Sequence, residues 1–404
     1  MATDKNRRFC MRRKSKGFSS ERGFWVGIPF SVILLGLASL LTDLSSEIIV
    51  PLIPLFMTAL GASALFIGIL GGLSDSVVSI LQVFSGYWSD KIGKRKPFII
   101  FGYAASAVTK LFMSLSTSWL HLFILRPIER IGKGMRDPPR DALLAETTKK
   151  KIHGKVFGIH RALDATGGIF GSILAFIFLT LGFVYSKIFF IASLIAFTSL
   201  IPLFFVKERK NHPHKISFKI SLKKLPRNLK LFIFVATLFA LASFNSILFI
   251  LKASQFLPAT TVVLFFAVFY LFYELFSIPA GILADKITEK KVILYGYILF
   301  SFVCLIFAFA NSLAAVIAGF VLYGISYACI IGNQRAFAAD LSPKKELGTS
   351  IGTFHTFISL ASLPAGIIAG LLWQYISPAT PFFCSAALAM ITALIFMFLK
   401  FDGD

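Results

Sequence analysis

The chain has 404 residues, 56% of them drawn from AVILMFWYC; with glycine counted, the apolar share is roughly 63%, against ~45–50% for soluble domains. Forty-six phenylalanines and a mean hydropathy of +0.80 exclude an ordinary water-soluble enzyme and a disordered chain, neither of which leaves so much apolar surface unburied. The 41 Lys and Arg against 19 Asp and Glu give a net charge of +22, but they sit in short clusters between apolar runs, so they report membrane topology and no nucleic-acid partner.

A bilayer core about 30 Å thick takes about 20 residues of helix, because every backbone amide must find its partner within the segment. Twelve apolar runs reach that length, near 25–57, 65–88, 97–117, 119–146, 155–183, 186–206, 230–253, 260–284, 291–310, 312–337, 348–374 and 379–401. None alternates with period two, which disfavours a membrane barrel. An all-α membrane protein with twelve transmembrane helices is expected. Residues 1–24 form a basic tail and 207–229 a basic linker, which separates one set of six spans (25–206) from a second (230–404). One side of the membrane receives the tail, the linker and Lys91, Lys94, Arg95, Lys96, Lys149 to Lys151, Lys286, Lys290, Lys344 and Lys345, whereas the other carries little beyond Lys187 and Lys252. The positive-inside rule then puts both termini in the cytoplasm, with the chain in the cell's inner membrane. The tail looks like the start of a secretion signal, but the following run is too long and holds Asp43 and Glu47, so a retained first span is expected.

Along the chain, span one carries Asp43 and Glu47 on one helical face, then Pro51 and Pro54, which predict a kink. Span two carries Asp75 and leads into GYWSDKIGKRK, where Gly86 is expected to allow close helix approach where the halves meet. Asp90 lies within reach of Arg95 across Gly93. In span four, Arg126, Arg130, Lys133, Asp137 and Asp141 step by three or four and share a face that must look inward. Pro138 and Pro139 predict a disrupted helix near the cytoplasmic end, and Arg136 and Arg140 either join that inward face or snorkel to the surface. Span five holds His160, Arg161 and Asp164. Span eight holds the stripe Tyr270, Tyr273 and Phe276 with Glu274, and ends in GILADKITEKK. That segment repeats the first loop at an offset of 195, with Gly281 for Gly86, Asp285 for Asp90 and Thr288 for Gly93. Two parallel repeats are the simplest account. Span ten brings Asn333, Gln334 and Arg335 together, and span eleven has His355.

GYWSDKIGKRK resembles the G-x-x-x-D-x-x-G-[RK]-[RK] loop of the major facilitator superfamily, and GILADKITEKK resembles its degenerate second copy. RPIERIGKG, from Arg126, is similar to the fourth-span arginine motif of proton-coupled members, with Glu129 where Gln is common and Arg130 where Gly is common. ATGGIFGSILAF lacks the proline of the fifth-span motif of drug antiporters. The resemblance implies two pseudo-symmetric six-helix bundles rocking about a midplane site, and solute transport, commonly coupled to protons. It implies no cofactor.

An ionisable group at mid-bilayer costs about 2.5–3.5 kcal/mol even on lenient scales. Eight acids (Asp43, Glu47, Asp75, Glu129, Asp137, Asp141, Asp164, Glu274) and eight bases (Lys110, Arg126, Arg130, Lys133, Arg136, Arg140, Arg161, Arg335) fall within spans, which predicts internal pairing around a polar cavity. Arg126, Glu129, Arg130, Asn333, Arg335 and Tyr273 are the expected substrate contacts, the arginines forking onto carboxylates. Acids at a partly desolvated cavity can exchange protons, so Asp43 and Glu47, with Asp75 and Glu274 behind them, are the expected proton carriers. Gly86, Asp90, Gly93, Arg95, Gly281 and Asp285 form the expected conformational latch. No metal is expected: His160 and His355 lie on separate spans without HExxH or cysteine support. Cys10, Cys304, Cys329 and Cys384 have no CxxC spacing, so no disulfide framework is expected either.

The expected function is secondary active transport of a small polar solute, carboxylate-bearing or zwitterionic, metal chelates included. Proton-driven drug efflux and a non-transporting membrane solute sensor are the alternatives. No nucleophile triad or metalloprotease motif points to an enzyme. The expected partners are the solute, protons and the lipid bilayer, with no nucleic acid, and the chain is expected to act as a monomer.

Overall fold

A computed structural model describes residues 28–148, 152–208, 225–343 and 347–401. The basic tail 1–24, most of the linker and the lysines at 149–151 and 344–345 lie outside the described residues. Span one comprises Phe30–Ile49 and Leu52–Ala59, broken at Val50 and Pro51, where the missing proline amide ends the first hydrogen-bond ladder. Span two is Ala64–Ile92, span three Lys96–Ser114, span four Trp119–Glu146, span five His153–Thr180 and span six Tyr185–Thr198 with Leu200–Phe205. Span seven is Arg227–Ala242 with Ile247–Ala253, span eight Ala259–Ile287, span nine Glu289–Phe309, span ten Leu313–Asp340, span eleven Leu347–Tyr375 and span twelve Thr380–Phe398.

Eleven of these segments are long and apolar enough to cross a membrane on their own composition. Span four is the exception: at 28 residues it is long enough, but it is laden with charge. It packs along spans two and three, and the bundle covers Arg126, Glu129, Arg136 and Arg140 completely or nearly so. Protein therefore replaces lipid around that helix, which is what makes its charges tolerable.

Helix packing displays the duplication. In the first set the extensive contacts pair spans one with five, two with four, three with four, three with six, and one with six. In the second, seven pairs with eleven, eight with ten, nine with ten, nine with twelve, and seven with twelve, the same pattern shifted by six. Between the sets, span two lies along span eleven and span five along span eight, contacts that interchange under the same shift. The molecule is thus two pseudo-symmetric six-helix bundles. The loops keep the duplication too. Gly93 takes a left-handed φ of 71°, and Thr288, at the repeat-equivalent position, has φ 95°, a region costly for a β-branched residue.

Two local expectations need correction. Span four runs unbroken through Pro138 and Pro139. Pro138 has no N–H for the Gly134 carbonyl, but the Ser85 hydroxyl of span two donates to that oxygen at 2.8 Å, so the freed group is satisfied from a neighbouring helix. Gly86 does not face the other half; a Cβ there would sit 3.5 Å from Pro138 Cβ, an ordinary contact inside the first bundle.

Close approach between the halves occurs instead at the ends of spans two and eleven remote from the basic loops. Gly68 and Gly72 face Gly366 and Gly370, two small-xxx-small pairs that let backbones touch. A Cβ on Gly68 would lie 2.7 Å from the Gly366 carbonyl oxygen and 3.0 Å from the Gly370 Cα, and one on Gly72 would press into the Ser362 carbonyl. The Ser76 hydroxyl donates across the same seam to the Ser359 carbonyl at 2.7 Å. A bulky residue should disfavour this closed arrangement by about 1–3 kcal/mol. In a cysteine-free background labelled at positions 63 and 376, Gly72→Leu should lengthen the spin–spin distance across the seam relative to wild type. An unchanged distance distribution would mean that these glycines do not hold that side shut.

Candidate functional site

Between the bundles lie two adjoining cavities. A vestibule of about 650 Å³ reaches to Asp285 and Glu289, at the basic-loop ends of spans eight and nine. A deeper chamber of about 210 Å³ lies between the vestibule and the glycine seam. Glu47, Tyr270 and Tyr273 line both and so form the boundary.

The three-and-four spacing on span four spreads its inward face over both compartments. Arg126 and Arg130 line the chamber, and Lys133, Asp137 and Arg140 line the vestibule. Glu129, off that face by one helical position, lines neither cavity. Its Oε2 pairs with Arg126 Nη1 at 2.8 Å and its Oε1 accepts from the Ser106 hydroxyl at 2.8 Å. Its position is thus that of a brace for Arg126 within the bundle, unlike the expected solute contact. Fully buried Lys110 lies in the same bundle and donates to the hydroxyls of Ser45 and Ser46 at 3.0 and 2.9 Å.

Nearer the basic loops, charges from spans one, four and five interlock. Arg136 lies 3.6 Å from Asp43 and 3.5 Å from Asp137, with its guanidinium 4.6 Å from the Tyr103 ring centroid. Arg140 bonds the Ser39 hydroxyl at 3.0 Å, Asp141 at 3.1 Å and Asp137 at 3.4 Å. Both arginines are buried, at 1% and 4% exposure, so neither snorkels. His160 Nδ1 meets Asp164 at 3.3 Å, whereas His355 lies on span eleven against Phe354. Arg95 pairs with Asp90 and, at 3.0 Å, with Glu146, all within the first half. Gly281 and Asp285 line the vestibule, and a Cβ on Gly281 would meet nothing within 4 Å.

The second half contributes differently to each compartment. Asn333, Arg335 and Glu274 line the vestibule; Asn333 donates to the Cys329 carbonyl at 2.9 Å, and Gln334 turns away to Tyr297 Oη at 2.8 Å. Tyr323 and Tyr327 line the chamber. So does the break in span seven, where Asn245 Nδ2 donates to Asp75 Oδ2 at 2.6 Å while its Oδ1 accepts the Ile247 amide at 3.1 Å. Counting apolar runs overlooks this break. Its signal is the polar interruption Ser243-Phe-Asn245-Ser246 in an otherwise apolar stretch. The Gly-xxx-Gly spacings at 68–72 and 366–370 were equally readable.

The sequence profile described as Major Facilitator Superfamily matches residues 35–263 and 231–403. The chain belongs to the major facilitator superfamily. It is 43% identical over 378 residues to the MFS-type transporter MJ1317 of Methanocaldococcus jannaschii, covering 91% of this chain and 94% of that relative. Multidrug resistance protein MdtH of Photorhabdus laumondii is 31% identical over 137 residues, 34% of each chain. The fold superposes on a POT family transporter solved with 5-aminolevulinic acid at a TM-score of 0.77 and 13% identity, covering 92% of this chain and 96% of that one. As a superfamily member the protein is a multi-pass membrane transporter and not an enzyme.

Removing one partner of a buried ion pair costs about 3–5 kcal/mol, because the other charge is left stranded. Glu129→Ala, purified in detergent, should therefore melt well below wild type. Asp141→Ala, whose carboxylate is 39% exposed, should melt close to it. Equal midpoints for the two variants would contradict the bracing role of Glu129.

Proposed function

We propose that the protein is a proton-coupled secondary carrier that moves a small polar, carboxylate-bearing or zwitterionic solute by alternating access. The observation that carries this reading is Arg130, which faces the chamber with no ion pair or hydrogen bond to a described residue. A cation that Glu129, Asp75 and Glu47 attract without bonding it directly is suited to an anionic group that arrives and leaves. Arg126, braced by Glu129, stands beside it. Arg335 and Asn333 on the vestibule wall are suited to first contact, and Tyr273 to the passage inward.

Glu47 is the preferred proton site. It lies at the boundary between the compartments, and its Oε2 is buried with no hydrogen-bond partner among the described residues. Tyr270, Lys133 and Arg130 surround the carboxylate but leave that oxygen unmatched, and a proton there relieves the cost of burying it. Asp43 meets Arg136 and Asp75 meets Asn245, so each would exchange a proton only as those contacts loosen; Glu274 faces the vestibule.

By the positive-inside rule the vestibule opens to the cytoplasm, both termini lie there, and the membrane is the cell's inner membrane. The bundles 25–206 and 230–404 are the rocking bodies, joined by the basic linker 207–229. In the opposite conformer, Asp90, Gly93 and Arg95 on one half would close against Gly281 and Asp285 on the other. The protein acts as a monomer, with its solute, protons and lipid as partners. Drug efflux is the second reading, favoured by the partial likeness to MdtH, but a chamber holding two arginines and two carboxyl groups fits a polar cargo better than an apolar one.

Two variants in proteoliposomes test this. Glu47→Gln should lose accumulation driven by a pH gradient yet keep solute exchange at equal pH on both sides. Arg130→Gln should lose both for carboxylate solutes. Gradient-driven accumulation at wild-type rates in Glu47→Gln would remove the proton from Glu47, and wild-type carboxylate exchange in Arg130→Gln would remove the site.

A further inference from the structure

The transport reading leaves the cargo's charge pattern open, and the deep chamber narrows it. We propose that this chamber binds one amino-acid-sized zwitterion end to end, its carboxylate on Arg130 and its ammonium on Asp75 against the aromatic wall of Phe269, Tyr323 and Tyr327. The inference rests on the transport reading and adds the cargo's polarity and orientation.

Opposite charges facing a small, weakly screened space attract strongly and collapse into an ion pair unless something holds them apart. Here they are held. Asn245 in the span-seven break donates to Asp75 at 2.6 Å, and Glu129 pairs with Arg126 at 2.8 Å. Asp75 makes no ion pair with either arginine, although all three line the same chamber. The gap between them calls for a solute of reversed polarity.

Unmet hydrogen-bonding capacity points the same way. Arg126 Nε, Arg130 Nε, Ser74 Oγ and Glu47 Oε2 are all buried and have no hydrogen-bond partner among the described residues, and all four residues line this chamber. Buried polar atoms seldom stay unmatched, and four of them on residues that line one cavity point to a ligand that draws them in. The two Nε–H groups want an acceptor, which a carboxylate supplies, and the carboxylate oxygen of Glu47 favours a cationic group, with or without N–H, at the other end.

The aromatic residues fix which end is which. Phe269 and Tyr323 ring centroids lie 4.6 Å apart, Phe269 and Tyr327 5.7 Å, and Tyr323 and Tyr327 5.8 Å, a continuous wall on spans eight and ten. Aromatic faces attract ammonium groups and tolerate methylation of the nitrogen, which a cage of hydrogen-bond acceptors alone would not. At about 210 Å³ the chamber is smaller than the ~300–1,000 Å³ of drug-sized sites. It takes an amino acid or its N-methylated form, and a longer solute would protrude into the vestibule.

Binding of glycine betaine to the full-length protein in nanodiscs tests this, measured by calorimetry beside two single-charge relatives. One is 3,3-dimethylbutanoate, which replaces the nitrogen by carbon; the other is betaine methyl ester, which masks the carboxylate. Wild type should prefer betaine over each by about tenfold or more. Asp75→Asn should erase the preference over dimethylbutanoate, Arg130→Gln the preference over the ester, and Tyr327→Leu should weaken betaine and the ester but not dimethylbutanoate. Equal binding of betaine and dimethylbutanoate by wild type would overturn the zwitterion proposal while leaving carboxylate transport intact, and so would a betaine preference that survives Asp75→Asn and Tyr327→Leu. No betaine binding would overturn it as well. Tight betaine binding without accumulation in proteoliposomes under any gradient would instead overturn the transport reading and leave the chamber assignment standing.

Discussion

A charged group in a bilayer has to be met by protein, and span four concentrates that demand on one helix. It carries nine Asp, Glu, Lys and Arg residues over 28 positions, so it cannot face lipid on the charged side. Spans one, two and three are drawn around it by specific bonds: Ser85 to the Gly134 carbonyl, Ser106 to Glu129, Asp43 to Arg136 and Ser39 to Arg140. The first bundle is therefore assembled about a polar seam as much as about packed side chains, and its members are braced by one another before any solute enters. The second bundle has no equal of this. Its interior is an aromatic cluster, with Phe249, Phe300, Phe307, Tyr323 and Phe382 in mutual ring contact.

This asymmetry decides what each half brings to the cavities. The first bundle supplies all the charge of the chamber and most of that of the vestibule. The second supplies a wall of rings, the broken helix at 243–246, a few polar groups on span ten and the remaining vestibule charges, Glu274, Asp285, Glu289 and Arg335. Two halves related by duplication in their helix order have diverged in chemistry while keeping the same packing scheme. The glycines at 68, 72, 366 and 370 sit where that scheme needs both halves to come closest. The vestibule is lined instead by spans one, four, five, eight, nine and ten. Backbone contact is short-ranged and carries few interlocking side chains, so a seam of this kind can part as a unit, which agrees with the alternating-access proposal.

Much of the architecture was legible in the residues. Pro51 marked the break in span one, and the repeat of Gly86 to Asp90 at Gly281 to Asp285 marked the duplication that the helix contacts then displayed. The inward face of span four followed from its periodicity, since a helix fixes which side chains share a side. Assignment within that face was harder. Glu129 reads as a cargo contact from its place in the arginine motif, yet lies one position off the cavity and serves Arg126. Pro138 reads as a helix breaker, and only the hydroxyl of Ser85, 53 positions earlier in the chain, explains why it is not.

What the sequence determined by itself is everything that depends on local spacing and on the cost of moving groups from water to oil. This covers twelve helices, their duplication and the presence of a charged interior. What the tertiary structure alone decided is which charges meet. Arg126 and Glu129 pair, Asp75 is held by Asn245 from the other half, and Arg130 is left to face open space. Those outcomes depend on how helices far apart in sequence rotate against one another. A turn of a few tens of degrees exchanges a paired charge for an unpaired one without altering any helix's own pattern, so periodicity cannot report it.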